Sequence, residues 1–118
     1  MNNQMVLMVL GTVQDGGFPQ AGCFKECCKS ISTGQKRLIS SISIINKETN
    51  DCWIIDITPD FKNQIKLIKD FLSTDNLPNI KGVFLTHAHI GHYLGLLDLG
   101  TEVMNMKNIP IYAMPKMK

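Results

Sequence analysis

All three histidines of this 118-residue chain stand in one stretch, Thr86-His87-Ala88-His89-Ile90-Gly91-His92, directly after the largely apolar residues 80–85. Imidazole is the commonest metal-ligating side chain, and spacings of two and three residues can converge three ring nitrogens on one point. The competing reading is a polar surface loop in which three histidines fell together by accident. That reading would win for a lone histidine; for three at this spacing the metal site is the stronger one.

The geometry needs a strand that hands over to a helix. If residues 82–86 form a strand whose extended course runs on through His89, side chains two apart point the same way and His87 and His89 share a face. A helix beginning near Gly91 would put His92 about one turn from His89, able to swing back to the same point. Such a junction is where open α/β sheets place their ligand sites.

The thiols form a second group. Cys23, Cys27 and Cys28 lie close together, and a Cys-x3-Cys pair with an adjacent third thiol can offer up to three soft ligands to a structural Zn²⁺. Ordinary free thiols on a short turn are the alternative. Cys52 enters a β-branched, aromatic run and reads as a small core residue. With no secretion signal in view, four cysteines argue for thiols and against a disulfide framework.

Residues 11–20, Gly11-Thr12-Val13-Gln14-Asp15-Gly16-Gly17-Phe18-Pro19-Gln20, have neither the Lys-[Ser/Thr] of a P-loop nor the G-x-G-x-x-G order of a dinucleotide fold. The glycines instead permit a tight turn that brings backbone near the site. Asp15 and Gln20 read first as solvated loop residues, with lining of a substrate mouth as the alternative.

The remaining pattern supplies the scaffold. Residues 4–10 form a short apolar run ended by Gly11, and residues 38–45 alternate isoleucine with serine before a polar turn at 46–50, so both read as strands. Residues 52–57 pair with the second as a hairpin. Thr58-Pro59-Asp60 resembles a helix start, and Phe61, Ile65, Ile68, Phe71 and Leu72 recur at helical spacing, facing a sheet, before Pro78. Leu94 and Leu97 share a helical face beside Gly95, which lets a neighbouring backbone approach, and residues 109–113 suggest a last strand with Pro110 near its start. The methionines read as core filler and end effects.

Composition fits a single globular unit over residues 1–118: 44% hydrophobic, 19% charged and a net charge of +2. Lysines are scattered and aromatics few, which argues against a nucleic-acid partner. Residues 5–10 are too short for a membrane span and lack a basic leader, so a cytoplasmic location with no membrane partner is the default.

The stretch from Thr86 to Gly95 resembles the H-x-H-x-D-H signature of the metallo-β-lactamase superfamily, with Gly91 where the signature has aspartate. Together with the glycine-rich loop, the cysteines beyond it and Asp56-Ile57-Thr58-Pro59-Asp60, it is similar to the branch containing the pyrroloquinoline quinone biosynthesis protein B, in the same order and at similar spacing. The resemblance implies an α/β (α+β) fold, the amino-terminal βα half of a four-layer αββα sandwich, one inner sheet face left without its partner, and a truncated or partial product.

The resemblance also implies roles. His87 and His89 would hold one ion with a later histidine that this chain lacks, and His92, with the missing aspartate of position 91, would belong to a second. Asp56 would support the site from behind a ligand, with Asp60 as the alternative. Some relatives carry a cysteine-rich zinc knuckle after the glycine-rich loop, which the Cys23, Cys27, Cys28 cluster resembles without matching its spacing. The implied activity is hydrolysis of an ester or phosphodiester, a small-molecule substrate, by hydroxide on one or two ions of Zn (or Mn or Fe). Because Gly91 removes a carboxylate, a single-metal centre, another metal or non-hydrolytic chemistry comes into play. The alternatives are therefore a metal-binding protein of redox-cofactor biosynthesis, and an inert fragment with residual metal affinity.

Overall fold

A computed structural model describes residues 4–29, 31 and 36–117; Met1 and Lys118, the ends of the expected unit, lie outside the described residues. Five strands, β1 (Met5–Gly11), β2 (Ser41–Asn46), β3 (Asp51–Ile55), β4 (Asn79–Phe84) and β5 (Ile111–Tyr112), form one mixed sheet in chain order. β1, β2 and β3 pair antiparallel, whereas β3, β4 and β5 pair parallel. The helices are α1 (Glu26–Lys29), α2 (Phe61–Leu72) and α3 (Ile90–Tyr93), the last continuing as a 3₁₀ turn over Leu94–Leu99. This is the α/β architecture expected. None of the helices is long and apolar enough to cross a membrane, among the described residues.

β2 and β3 are joined by the anticipated polar turn. Asn46 Oδ1 accepts from the N–H of Glu48 at 2.9 Å, and Asn50 takes the left-handed conformation at φ 63°. α2 closes the parallel crossover between β3 and β4. Phe61, Gln64 and Ile68 are buried on it and Ile65 and Leu72 pack beside the core, while Ser73 ends it in the left-handed region. Phe71 does not face the sheet as expected and is 42% exposed. At about 100° per residue it falls about 80° from the centre of the stripe set by Phe61, Ile68 and Leu72. The buried polar position is Gln64, which accepts from Thr58 Oγ1 at 2.7 Å and donates to the Ile39 carbonyl at 2.7 Å.

The two faces of the sheet differ. Toward α2 lie Leu10, Ile45, Cys52, Ile54, Ile80, Val83 and Leu85. Ser41 and Ser43 also point inward, bonded to the carbonyls of Asp56 at 2.8 Å and Trp53 at 2.9 Å. The isoleucines of β2 that alternate with them point the other way. Following the register, that second face carries Leu7 beside Ile44, Val9 beside Ile42, then Trp53, Ile55, Phe84 and Tyr112. None of these is buried, and Leu7 is 61% exposed. An antiparallel face meant for water alternates to polar residues; this one is apolar, as the inner layer of a sandwich is.

Several boundaries differ from the sequence reading. Regular pairing of β2 starts at Ser41, after isolated bridges at Arg37 and Ile39, and β5 is only Ile111–Tyr112. Leu97 is 73% exposed and shares no buried face with Leu94, and the segment is a 3₁₀ turn in place of the α-helix expected. The buried line runs instead through Gly91, Gly95 and Leu99, and an ideal Cβ on Gly95 would stand 2.4 Å from the Thr58 carbonyl oxygen. Met8, Met104, Met106 and Met117 pack against the core, but Met5 and Met114 are exposed.

Candidate metal centre

Strand direction brings the pieces together. β1 and β3 are each antiparallel to β2, so they run the same way as β4. The loops after β1, β3 and β4 therefore leave from one end of the sheet, carrying Asp15, Asp56 and the histidines respectively. That end is where a parallel sheet collects its ligand-binding loops.

β4 stops at Phe84, so the expected strand through Thr86 ends early, although His89 itself is extended at φ −80°, ψ 144°. The cause lies in β3, which turns away at Asp56 in the left-handed conformation at φ 65°. The Asp56 N–H still donates to the Phe84 carbonyl at 2.8 Å, but the next donor on that side, the Thr86 N–H, meets the Asp56 carboxylate at 2.9 Å in place of a strand carbonyl. The chain from Leu85 to His89 is a loop, and α3 begins at Ile90.

The loop nevertheless gathers the rings. His87 and His92 have ring centroids 4.1 Å apart, His87 and His89 4.5 Å apart, and His87 Nε2 lies 3.1 Å from His89 Nδ1. With Zn–N bonds of about 2.0–2.1 Å, two ligands of one tetrahedral ion stand about 3.3 Å apart. The spacing of His87 and His89 is of that order. His89 is the outermost ring, its side chain 75% exposed, whereas that of His92 is 12% exposed.

His92 is gripped on both sides. Its Nδ1 lies 2.7 Å from Asp56 Oδ2 and its Nε2 2.9 Å from Asp15 Oδ1. Asp56 also accepts from the Thr86 hydroxyl at 2.7 Å. Atoms of Asp56, His87 and His92 lie within 4.8 Å of one another, so all three could reach one cation. Yet the Asp56 oxygens already serve Thr86 twice and His92 once. A carboxylate so engaged accepts from the Nδ1–H of the ring in front of it, the arrangement by which such groups orient imidazoles. Asp60, the alternative holder, is elsewhere: its Oδ2 accepts from the Ile39 N–H at 2.9 Å and pins the chain ahead of β2.

Sequence reasoning gives Thr86 no role of its own and ranks Asp15 as a solvated loop residue ahead of one lining a substrate mouth. Asp15 does not behave as a solvated loop side chain, because it reaches His92 and lies 4.0 Å from His89 Nδ1. No signal along the chain gives this contact: strand direction puts the loop after β1 at the same end of the sheet as the loop after β4, but two strands lie between them and the loop reaches His92 only in the fold.

The three thiols also meet. The sulfurs of Cys23, Cys27 and Cys28 lie within 4.8 Å of one another at the start of α1. Hydrogen bonding with Cys28, and next with the Lys25 backbone, holds the Cys23 thiol below its ordinary value, and the same bond raises that of Cys28. Cys52 is fully buried in the core, and burial first, with the Asp51 charge second, pushes its thiol up to about 12.

Comparison with known proteins agrees with this architecture. The octanoyltransferase of Porphyromonas gingivalis is 33% identical over 109 residues, a match covering 92% of this chain and 20% of that protein. The coenzyme PQQ synthesis protein B of Ectopseudomonas mendocina is 32% identical over 102 residues, covering 80% of this chain and 33% of that protein. The chain thus spans a third or less of the curated relatives it matches. Among solved structures, zinc-bound PqqB from Methylobacterium extorquens superimposes with a TM-score of 0.72 at 26% identity, over 94% of this chain and 38% of that one. A diphosphatase of the PhnP family gives 0.65 at 28% identity, over 95% and 42%. Residues 53–118 match the family described as the beta-lactamase superfamily domain. With that match running from within β3 through β4 and the histidine loop, the chain belongs to the metallo-β-lactamase superfamily.

Proposed function

We propose that this chain carries part of the centre of a metal-dependent hydrolase, in which His87, His89 and His92 hold one or two divalent cations and the substrate is a small ester or phosphodiester. The observation that carries the reading is the bond from His92 Nδ1 to Asp56, which leaves Nε2 as the nitrogen for a cation, on a ring whose centroid is 4.1 Å from that of His87. Zn²⁺ is the first candidate, with Mn²⁺ or Fe²⁺ as substitutes, because the donor set is imidazole and carboxylate and a zinc-bound protein is among the structural neighbours. When bound, such a cation polarises a phosphoryl or carbonyl oxygen and lowers the pKa of water toward neutrality. The chain's own residues do the positioning. Asp56 sets the tautomer of His92, and the Thr86 hydroxyl, 2.9 Å from His87 Nδ1, fixes the ring that leads the loop. A cytoplasmic location, and a structural Zn²⁺ on Cys23, Cys27 and Cys28, belong to the same proposal.

The second reading is a metal-binding role in redox-cofactor biosynthesis, favoured by the similarity to PQQ synthesis protein B. Metal analysis followed by assay with Zn²⁺, Mn²⁺ and Fe²⁺ on a generic phosphodiester and an aryl ester separates the two. Turnover that disappears in His92→Ala is the result expected of a hydrolase. Stoichiometric metal without hydrolysis under any ion would remove the hydrolase reading and leave the second. Failure to hold any cation would remove both and leave an inert fragment.

A further inference from the structure

The superfamily signature puts an aspartate where this chain has Gly91, so the centre proposed above lacks a carboxylate that sequence alone does not replace. We infer that Asp15, delivered by the loop after β1, is the carboxylate ligand of this centre beside His92, and that Gly91 is glycine because Asp15 fills the space a side chain there would need. The inference rests on the metal-binding reading and assigns its missing ligand.

Two independent observations carry it. The first is steric. An ideal Cβ built on Gly91 would lie 2.6 Å from Asp15 Cα and 2.7 Å from both its Cβ and Cγ. Real Cβ atoms do not approach backbone that closely, so a side chain at 91 and Asp15 in its present place exclude one another. The second is chemical. The carboxylate in that space is aimed inward, with Oδ1 2.9 Å from His92 Nε2 and Oδ2 4.0 Å from His89 Nδ1. Since Nδ1 of His92 is taken by Asp56, Nε2 is the atom that can face an ion, and that is the atom Asp15 meets. The two separations bracket the about 3.3 Å expected between ligands of one tetrahedral cation with bonds near 2.0–2.2 Å.

The loop is also built to hold this position. Gln14 Oε1 accepts from the Gly16 N–H at 2.7 Å while its Nε2 donates to the Gly17 carbonyl at 2.9 Å, bridging the turn around Asp15. On the upstream side the N–H groups of Thr12 and Val13 both donate to the Leu38 carbonyl, at 2.9 and 3.1 Å. A carboxylate held this way needs little ordering when it binds, which is the condition for a useful ligand.

The test uses the full chain and the imidazole ¹⁵N resonances of its only three histidines, a readout blind to any cation on the cysteines and independent of turnover. Zn²⁺ is titrated into the parent, Asp15→Asn, Gly91→Asp and the double variant Asp15→Gly/Gly91→Asp, with thermal melts alongside. We expect Zn²⁺ to shift His92 Nε2 in the parent, with affinity at least about 10-fold weaker in Asp15→Asn, a loss typical of removing a supporting group from a metal site. Gly91→Asp alone should melt lower and bind no more tightly, and the double variant should recover affinity toward the parent. Parent-like binding by Asp15→Asn overturns the inference while leaving the metal centre standing. So does tighter binding by Gly91→Asp at unchanged stability, since the space would then be free. A parent whose histidine resonances ignore Zn²⁺ overturns the metal reading itself, and this one with it.

Discussion

Replacing Asp56 separates its structural from its chemical work. In Asp56→Ala three hydrogen bonds disappear: the Thr86 N–H at 2.9 Å, the Thr86 hydroxyl at 2.7 Å and His92 Nδ1 at 2.7 Å. A bond to a charged acceptor contributes about 1.5–3 kcal/mol and a neutral donor left in a partly buried place loses about 1 kcal/mol. Water can reach this end of the sheet and recover part of that. Alanine must also hold φ 65° with no side-chain bond to help it, a conformation costing about 1–2 kcal/mol for a residue with a Cβ. The expected loss for Asp56→Ala is about 3 kcal/mol by this reckoning. Asp56→Asn differs in kind. Asparagine tolerates the left-handed region and its amide oxygen can still accept from Thr86, so its loss should stay near about 1 kcal/mol. But its amide nitrogen would face His92 Nδ1 as a donor. His92 must then accept at Nδ1, placing its proton on Nε2, where it blocks a metal bond. Urea denaturation gives the stability of each variant, and imidazole ¹⁵N spectra with added Zn²⁺ report the tautomer. The reasoning is refuted if Asp56→Asn keeps the parent's tautomer and zinc affinity, or is as unstable as Asp56→Ala.

The remaining expectations are briefer. Gly95→Ala places a methyl group 2.4 Å from the Thr58 carbonyl oxygen, and overpacking against backbone should cost about 1–3 kcal/mol; a change below about 0.5 kcal/mol in urea would mean that the contact is relaxed in solution. The Cys52 thiol is raised from 9.0 to about 12 by burial, so the unfolded chain loses this proton first and the folded chain keeps it. Its contribution is complete below about pH 9 and is lost as pH rises toward 12, at up to about 1.4 kcal/mol per pH unit. Cys52→Ala should therefore lose less stability than the parent between about pH 9 and pH 10.5, and equal slopes would refute this. Finally, Co²⁺ should give a thiolate charge-transfer band from Cys23, Cys27 and Cys28 that Cys27→Ser weakens and His92→Ala leaves intact. No such band at stoichiometric Co²⁺ would dismiss the cysteine site.

Local pattern carried the elements and long-range pairing carried the rest. The β2–β3 hairpin, α2 and the histidine loop were legible because turn residues, helical spacing and ligand spacing are all properties of neighbours along the chain. The end of β4 was not, since it is set by Asp56, which leaves the ladder and takes the Thr86 N–H on its side chain. Asp15 reads first as solvated, ahead of a place at a substrate mouth, for a similar reason. In sequence it sits among glycines and polar residues, a composition that reads as a solvated loop; only the folded loop, reaching past the ends of β2 and β3, borders His92. Ser41 and Ser43 point inward although isoleucine alternates with them, because both sheet faces are apolar environments and each hydroxyl finds a carbonyl across the strand. Alternation alone cannot rank two faces when neither is made for water.

One register shift links the sheet to the site. Along the β3–β4 pair, Cys52 stands opposite Ile80 but Trp53 stands opposite Gly82, so Lys81 is an extra residue in β4. Side chains alternate across a strand, so an inserted residue exchanges the faces of everything beyond it. The insertion lets Ile80 and Val83, three apart, both enter the core, at 5% and 0% exposure. It also fixes the phase at which β4 ends: Phe84 on the apolar outer face, Leu85 in the core, and Thr86 within reach of the Asp56 carboxylate. Without it the Thr86 N–H and hydroxyl would be displaced by one residue from the carboxylate. Lys81 itself has little internal role, 3.9 Å from Asp51 with half its side chain in solvent. Its contribution is the backbone it adds, so Lys81→Ala should spare the centre while deletion of residue 81 should dismantle it.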